Sequence, residues 1–589
     1  MPGIAGFFQG GNAHEGARTL ERMMVCMNHA PSYASQVLKT DAAVHAGCVC
    51  RPAAQRSAWN DRGDVGIFLF GEPQTDQDAL RLLLMLYEKE GLQVLARLNG
   101  WFSGLFFDYR THETTLFNDR YGLGRVYFNQ SAPGFFFSSE AKSLLQIFPE
   151  TRSLDESGLA EWFSCGCVLQ NRTLFSGISL LPAGSAWTFS AEGRLARKSY
   201  FNPSSWETQP LLSADEYDAR LKEIFPRVLG YYLNGDEPVA MSLTGGLDGR
   251  MIMSWAGRAG KALPCYTFNG PVRDCADVKI ARKVAKVCGQ THQTIPLESN
   301  FFAEFPALAA QSVYITDGAM DVTGAAELYM NRRAGRIAPV RLTGNYGSEI
   351  LRRYVAFRPR QFQSEMFAPD FVPKLAEAAN TYAGETDGNR LSFIAFKQVP
   401  WHHYARFAIE QSQLTLRSPF LDNELVALAF QAPPAVAMSL SSSLRLIAEG
   451  NPALGRIPTD RGITYPADRL ANRLHRSVQE FLARAEYAYD YGMPQWLAKL
   501  DHVLSPLHLE KLFLGRQKFY HFRIWYRDAL SQYVKDVLLD PRTLSRPYLN
   551  GRKVEKMVNA HVRGAGNYTL EIHKLLTSEI IQRQLIEKV

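Results

Sequence analysis

Across the first two hundred residues, short apolar runs alternate with turn residues: GIFLFGE, LNGWFSGLFFDY, TTLFNDRYGLGRVYF, GFFFSSE and GSAWTFSAEG. Aromatic and β-branched stretches cut by Gly and Asn predict short strands, and the patterns at ALRLLLMLYEKEG and SLDESGLAEWF predict two helices. An α+β domain of stacked sheets is expected. The Pro- and Ser-rich stretch YFNPSSWETQPLLSADEY, from Tyr200, loses periodicity, which places a domain boundary there and divides the chain into 1–205 and 206–589. SADEYDARLKEIFPRVLGYYL then opens with a Ser cap and an acidic first turn and continues at helical spacing. From Pro238 to Ile295 strand and helix patterns alternate: PVAMSL, a glycine loop, RMIMSWAGRAG, LPCYTFN, DVKIARKVAKVCG, HQTIPL. Such alternation predicts βαβ units winding a parallel sheet. APVRLTG followed by NYGSEILRR repeats the arrangement, and beyond Asp422 the pattern is mainly helical. The expected fold class is an α+β sandwich followed by an α/β parallel-sheet domain with a helical C-terminal part.

Composition narrows the class without naming a chemistry. The 589 residues are 46% hydrophobic and 21% charged, ordinary globular values that imply two to four domains. A net charge of +7, with basic residues scattered, predicts neither a nucleic-acid nor a membrane partner. No apolar run reaches a membrane span and MPGIAGFFQG has no basic segment before its apolar residues, so a cytoplasmic protein is expected. Eight cysteines fit buried thiols in a reducing compartment; the pairs Cys48/Cys50 and Cys165/Cys167 lack zinc spacing, and adjacent His402 and His403 point in different directions.

The stretch AMSLTGGLDGRMIMSW, Ala240 to Trp255, carries the strongest chemical signal. At a strand-to-helix junction, Gly245 and Gly246 let successive main-chain N–H groups converge on an anion in front of a helix N-terminus. An acid inside a phosphate cradle implies a divalent cation between them, so Asp248 reads as a magnesium ligand. The Gly-Lys-Ser/Thr ending of a Walker loop is missing. A tight βα turn capped by Asp248 is the plainer alternative.

LTGGLDG resembles the Ser-Gly-Gly-x-Asp-Ser pyrophosphatase loop of asparagine synthetases and their relatives, which adenylate a carboxylate with ATP. LTGNYGSEIL resembles their second loop. A one-residue insertion places Tyr346 at its catalytic position, as in β-lactam synthetase, and Glu349 at the following magnesium-binding acid; an ungapped reading places Asn345 there instead. SPFLDNELVALAFQAPP and VNAHVRGAGNYTLEIHKLLTSEIIQR resemble the family's later segments. MPGIAGFF, LNGWFSGLFFDY, NDRYGLGRVYF and FSSEAKSLL resemble a class II glutaminase domain. The resemblance implies ATP and Mg2+. It places the nucleotide on Leu243, Thr244, Gly245, Gly246, Leu247, Asp248, Arg250, Thr267, Phe268 and Gly344, and the metal on Asp248 and Glu349.

Departures limit what carries over. A working glutaminase of this class begins Met-Cys-Gly-Ile, whereas here the second residue is Pro2; the family's Asn-Gly-Glu is Phe70-Gly71-Glu72. Nucleophile and oxyanion donor are both missing, so no glutamine hydrolysis is expected. The serines flanking the pyrophosphatase loop are Thr244, Gly249 and Arg250; the guanidinium of Arg250 grips a phosphate or pairs with an acid across the sheet. Amide formation needs a base for the amine and a cation for the acyl oxygen. By resemblance to β-lactam synthetase, Tyr346 and Glu410 supply the first and Arg461, where a lysine is expected, the second; Glu410 reads equally well as a helix-surface carboxylate.

The expected activity is an AMP-forming carbon–nitrogen ligase joining a small-molecule or peptide carboxylate to an amine or ammonia, in natural-product, peptide or polysaccharide tailoring. A silent nucleotide-binding scaffold and an ammonia-dependent asparagine synthetase are the alternatives. A homo-oligomer or a biosynthetic partner protein is left open.

Overall fold

The computed structural model describes the chain except residues 1–2, 9–12, 41–43, 52–53, 132–133, 236, 258–261, 361–363, 466–469, 505–509, 511–512, 518–519 and 589. Pro2 therefore lies outside the described residues.

Two six-stranded antiparallel sheets form the front half. In one, Gly3–Phe8 lies between Gly134–Ser138 and Val44–Cys50; in the other, Val65–Pro73 and Gly100–Asp108 pair over nine residues. Alternation along Gly3–Phe8 sends Ile4 and Phe8 into the space between the sheets, where Phe68, Phe70, Leu105, Phe107 and Phe189 meet them. Phe8 and Phe189 stack with ring centroids 3.7 Å apart. The opposite face of that strand packs Ala5 and Phe7 with Leu20, Met23 and Met24 of the helix Ala13–Val25. The helices expected from the apolar spacing are Gln77–Glu90 and Glu156–Cys165, capped by Asp76 and Asp155.

A capping box between Ser213 and Glu216 starts the helix Ala214–Leu233, which leads into a five-stranded parallel sheet. Its order is His292–Pro296, Cys265–Asn269, Val239–Ser242, Val340–Thr343, Thr415–Arg417. The first strand in sequence is thus the central one, with the next on one side and Val340–Thr343 on the other. At that reversal the loops leaving Ser242 and Thr343 diverge, and open α/β sheets place their crevice there. Helices dominate the chain after Asp422.

The two halves are stitched by polar contacts. Arg417 donates from Nε to Glu72 Oε1 at 2.5 Å, and Asn99 donates to Asp422 Oδ2 at 2.5 Å. Asp422 also caps the helix Asn423–Phe430, so the SPFLDN segment fixes a helix start and a domain contact together. All eight cysteines are free thiols, six of them buried, and among the described residues no group of three or more His, Cys, Asp or Glu could hold a metal. Among them, no helix is long and apolar enough to cross a membrane.

Candidate active site

Beyond the C-terminal ends of the central strands lies a cavity of about 550 Å3. The glycine loop contributes Leu243, Thr244, Gly246 and Asp248; the second loop contributes Gly344, Asn345, Tyr346, Ser348 and Glu349; Thr267 and Phe268 close one side. Glycine is required where the two loops touch. A Cβ at Gly344 would stand 2.6 Å from the Gly249 main-chain nitrogen, and one at Gly347 would stand 2.6 Å from Asp248 Cγ. Between them Tyr346 adopts a left-handed φ of 71°, costly for a bulky side chain, which turns its ring inward against His403.

The acids are engaged. Arg352 Nη2 donates to both Asp248 oxygens, at 2.7 and 2.9 Å. Burial nonetheless pushes the Asp248 carboxyl up to about 6, against the lowering pull of Arg352. Glu349 Oε2 accepts from Ser348 Oγ at 2.7 Å, its Oε1 lies 3.6 Å from His403 Nε2, and burial raises its pKa as well. His403, desolvated first and then repelled by Arg406, is pushed down to about 4 and stands neutral at pH 7. Both acids line one crevice, and Mg2+ needs only one or two carboxylates beside phosphate oxygens, so the residues fit the ion once Arg352 withdraws from Asp248.

On the cavity's other side lies a run of alternating charges in which Arg341, Glu410 and Glu327 are buried and the Arg406 side chain is half exposed. Arg341 Nη1 stands 3.2 Å from Glu410 Oε1, Arg406 Nε 3.1 Å from the same oxygen, and Arg406 Nη2 3.0 Å from Glu327 Oε1. Arg341, Glu327, Arg406 and Tyr346 line the cavity; Glu410, fully buried, sits behind them. The phenol of Tyr346 is held protonated by burial first and then by the negative charge of Glu410.

Some expected residues are placed differently. Arg250 does not line the cavity: its Nη atoms donate to the carbonyls of Gly245, Leu454, Ile457 and Pro458, at 1% exposure. A guanidinium has enough N–H groups to tie four carbonyls, and here it binds the glycine loop to the following segment. Gly245 turns its N–H to Asp277 Oδ1, at 2.7 Å, and Leu247 packs its side chain in the core. Leu243 donates its N–H to the Tyr266 carbonyl while its own carbonyl accepts from Thr267 Oγ1 at 2.7 Å, so the expected adenine edge is already part of the sheet. Arg461 is half exposed beside Asp460, at 3.7 Å, and does not line the cavity. Glu410 is a core residue, not a surface one. His402 stacks on Phe357 at 4.8 Å, while His403 alone of that pair faces the cavity.

Sequence reasoning passed over Asp277, Glu327, Arg341, Arg352 and Arg406, and weighed His403 only as a packing residue beside His402. A signal existed for two of them. Arg341 interrupts an apolar strand of a buried parallel sheet, where a charge demands a partner, and Arg406 lies four residues before Glu410 on one helix.

Comparison with known proteins agrees with this layout. Residues 72–201 match the glutamine amidotransferase domain and residues 221–445 match asparagine synthase. The glutamine-hydrolyzing asparagine synthetase 1 of Bacillus subtilis is 23% identical over 289 residues, 48% of this chain and 44% of the relative. Asparagine synthetase 3 of the same organism is 30% identical over 178 residues, 29% of this chain and 28% of the relative. A putative asparagine synthetase of Methanocaldococcus jannaschii is 22% identical over 314 residues, 52% of this chain and 58% of the relative. Less than two thirds of each relative's length is matched. With both domain matches in order, two antiparallel sheets ahead of a parallel sheet, and a glycine loop at the switch point, the chain belongs to the asparagine synthetase-like family.

Proposed function

We propose that the protein is an ATP-dependent ligase that adenylates a carboxylate, releases pyrophosphate, and passes the acyl group to an amine or to ammonia. One observation carries this reading: the glycine loop, both acids and the Arg341–Glu410–Arg406–Glu327 array meet in a single crevice at the sheet's switch point. Mg2+, on Asp248 and Glu349, would supply neutralisation of the triphosphate.

The chain's own residues take distinct roles. Thr244 and Gly246 line the phosphate end, and Thr267 and Phe268 the base end. Arg406, facing the cavity beside Tyr346, takes the place expected of Arg461: it is a fixed cation for the negative charge that develops on the acyl oxygen as the amine attacks. Glu410 keeps that cation in place and holds Tyr346 protonated, so the phenol positions the amine and takes no proton; AMP leaves from the acyl carbon and the amine's proton passes to solvent in the crevice. Asn345, the residue of the ungapped reading, lends its carbonyl to Ser418 Oγ at 2.6 Å and steadies the loop.

Three features support the reading that the front domain hydrolyses no glutamine. Pro2 carries no nucleophile, Phe70 is packed in the inter-sheet core where the family has asparagine, and Glu72 is taken by Arg417. The space bordered by Phe70, Gly71 and Trp101 is about 10 Å3, too small for an amino acid. The amine is therefore free ammonia, a second substrate, or part of the carboxylate substrate itself, in a tailoring step rather than bulk asparagine supply. We place the division between the halves at 205/206 and the protein in the cytoplasm.

One observation favours a silent scaffold as the second reading. Arg352 already neutralises Asp248, so the two buried acids are tolerated without a metal. Pyrophosphate release from ATP, measured across candidate carboxylates with and without amines, separates the cases. Carboxylate-stimulated release that ends in an amide with the wild type, and that persists without amide formation in Tyr346→Phe or Arg406→Met, supports the ligase. Aspartate with ammonia as the sole active pair would make it an asparagine synthetase, and nucleotide binding without any release would make it a scaffold.

A further inference from the structure

We propose that Arg352 is a built-in competitor of the divalent cation: it occupies Asp248 in the empty site and must leave before metal binds there, so metal loading depends on nucleotide. The inference rests on the reading that this cavity takes a nucleotide triphosphate.

The contact is specific. One guanidinium nitrogen bonds both carboxylate oxygens, while Nη1 donates to Ser443 Oγ at 3.2 Å. Ser443 is buried, with 2% exposure, which gives the arginine a fixed rest position. Both partners are shielded, with 13% of the Arg352 and 20% of the Asp248 side chain exposed. At such burial the pair is weakly screened.

The carboxylate cannot move aside. The second loop presses on it so closely that a Cβ at Gly347 would overlap Asp248 Cγ, and Asp248 opens the helix Asp248–Ala256. Arg352, by contrast, ends the six-residue helix Gly347–Arg352, where Arg353 turns left-handed at φ 52°. Its long flexible side chain is the member able to withdraw. The same short helix carries Glu349, so the second acid and the competing cation move on one element.

Charge decides the order of events. With Arg352 in place the two acids and one guanidinium sum to −1, and a dication approaching the same oxygens meets a guanidinium head-on. Two like charges at contact distance repel strongly at the effective dielectric of such sites. Metal alone is therefore a poor displacer. A triphosphate adds the charge that makes the exchange favourable: it brings oxygens for the metal and offers the released guanidinium a phosphate partner, to which its planar donors are well matched.

Mn2+ provides the spectroscopic probe, with the full chain and a non-hydrolysable ATP analogue, comparing wild type, Arg352→Gln, Ser443→Ala and the Asp248→Asn/Arg352→Gln pair. Free Mn2+ read by electron paramagnetic resonance should show weak metal binding to wild type without nucleotide. Binding should be at least tenfold tighter in Arg352→Gln, intermediate in Ser443→Ala, and lost again in the double variant. Adding the analogue should bring wild type to within a few fold of Arg352→Gln. Equal Mn2+ affinity in wild type and in folded Arg352→Gln overturns the proposal, as does tight nucleotide-free binding to wild type. If Arg352→Gln does not fold, an unchanged affinity in Ser443→Ala overturns it instead. Failure of every form to bind the analogue, beside a gain of metal in Arg352→Gln, would sink the nucleotide reading while leaving the competition on Asp248 standing.

Discussion

Glu410→Gln separates a structural counter-ion from a surface helix carboxylate. Glu410 is fully buried and its Oε1 stands 3.2 Å from Arg341 Nη1 and 3.1 Å from Arg406 Nε. At an effective dielectric of 20 each contact is worth about 5 kcal/mol of gross attraction. Much of that offsets desolvation, and removal of one partner from such a cluster costs about 3–5 kcal/mol. Glutamine keeps the shape but leaves two guanidiniums sharing Glu327 and the Asn331 amide oxygen, which lies 2.9 Å from Arg341 Nη1. Equilibrium urea unfolding at pH 7.5, followed by tryptophan fluorescence, should show a loss of that size in the transition of the synthetase half, with an unchanged slope. Arg341→Met in the Glu410→Gln background removes the orphaned cation and should recover about 2 kcal/mol, a coupling that independent sites do not show. A Glu410→Gln loss below about 1 kcal/mol, or strictly additive variants, would refute the counter-ion argument.

Arg250→Met removes a guanidinium donor from the carbonyls of Gly245, Leu454, Ile457 and Pro458, of which Gly245 and Leu454 keep a main-chain donor. It should cost about 3 kcal/mol and speed amide hydrogen exchange at residues 244–247, where a phosphate-gripping role would change exchange only with nucleotide bound. Gly347→Ala drives a methyl into Asp248 Cγ, at 2.6 Å, and should weaken ATP-analogue binding at least tenfold in calorimetry while the far-ultraviolet circular dichroism stays unchanged. Lys574, over the Trp162 ring at 3.6 Å, is pushed by burial down to about 8 from 10.5. The unfolded chain then binds a proton between pH 8 and 10.5 that the folded one does not, so stability rises with pH across that window by about 3 kcal/mol and is lost as pH falls through 8. Lys574→Met should flatten this rise in urea midpoints; an unchanged slope would mean that another group titrates.

The crevice was legible because its two loops announce themselves. A glycine pair after an apolar run marks Asp248 at a parallel strand end, and the resemblance of LTGNYGSEIL to the family's second loop adds Glu349 at another. What the pattern leaves undetermined is which strands are neighbours. Arg352 and Asp248 lie 104 residues apart, and they meet because Val340–Thr343 pairs with Val239–Ser242 on one side, with Thr415–Arg417 on its other side. Read alone, NYGSEILRR is a short helix with a basic last turn, a solvated pattern on most helices. Arg250 is placed for a related reason: its type and position suit a phosphate, but the segment at Leu454–Pro458, two hundred residues onward, presents carbonyls that its guanidinium bonds.

Arg341 and Glu410 show the complementary case, in which the sequence holds the information but periodicity alone does not extract it. VRLT is a fully buried central strand, and burying a guanidinium without a carboxylate is prohibitive. An acid must therefore face it from a neighbouring element. The helix Tyr404–Gln413 runs directly into Thr415–Arg417, the strand beside Val340–Thr343, and Glu410 is its one acid. Arg406, one turn earlier and half exposed, adds a second acid to the array, with Glu327 within 3.0 Å. Charge bookkeeping on buried elements thus leads from one out-of-place arginine to the whole array. It also explains the contrast between the cavity's two sides. On the transfer side each charge is matched permanently by protein, whereas on the nucleotide side Asp248 and Glu349 share a single arginine and keep one negative charge in reserve for a cation that arrives with its ligand.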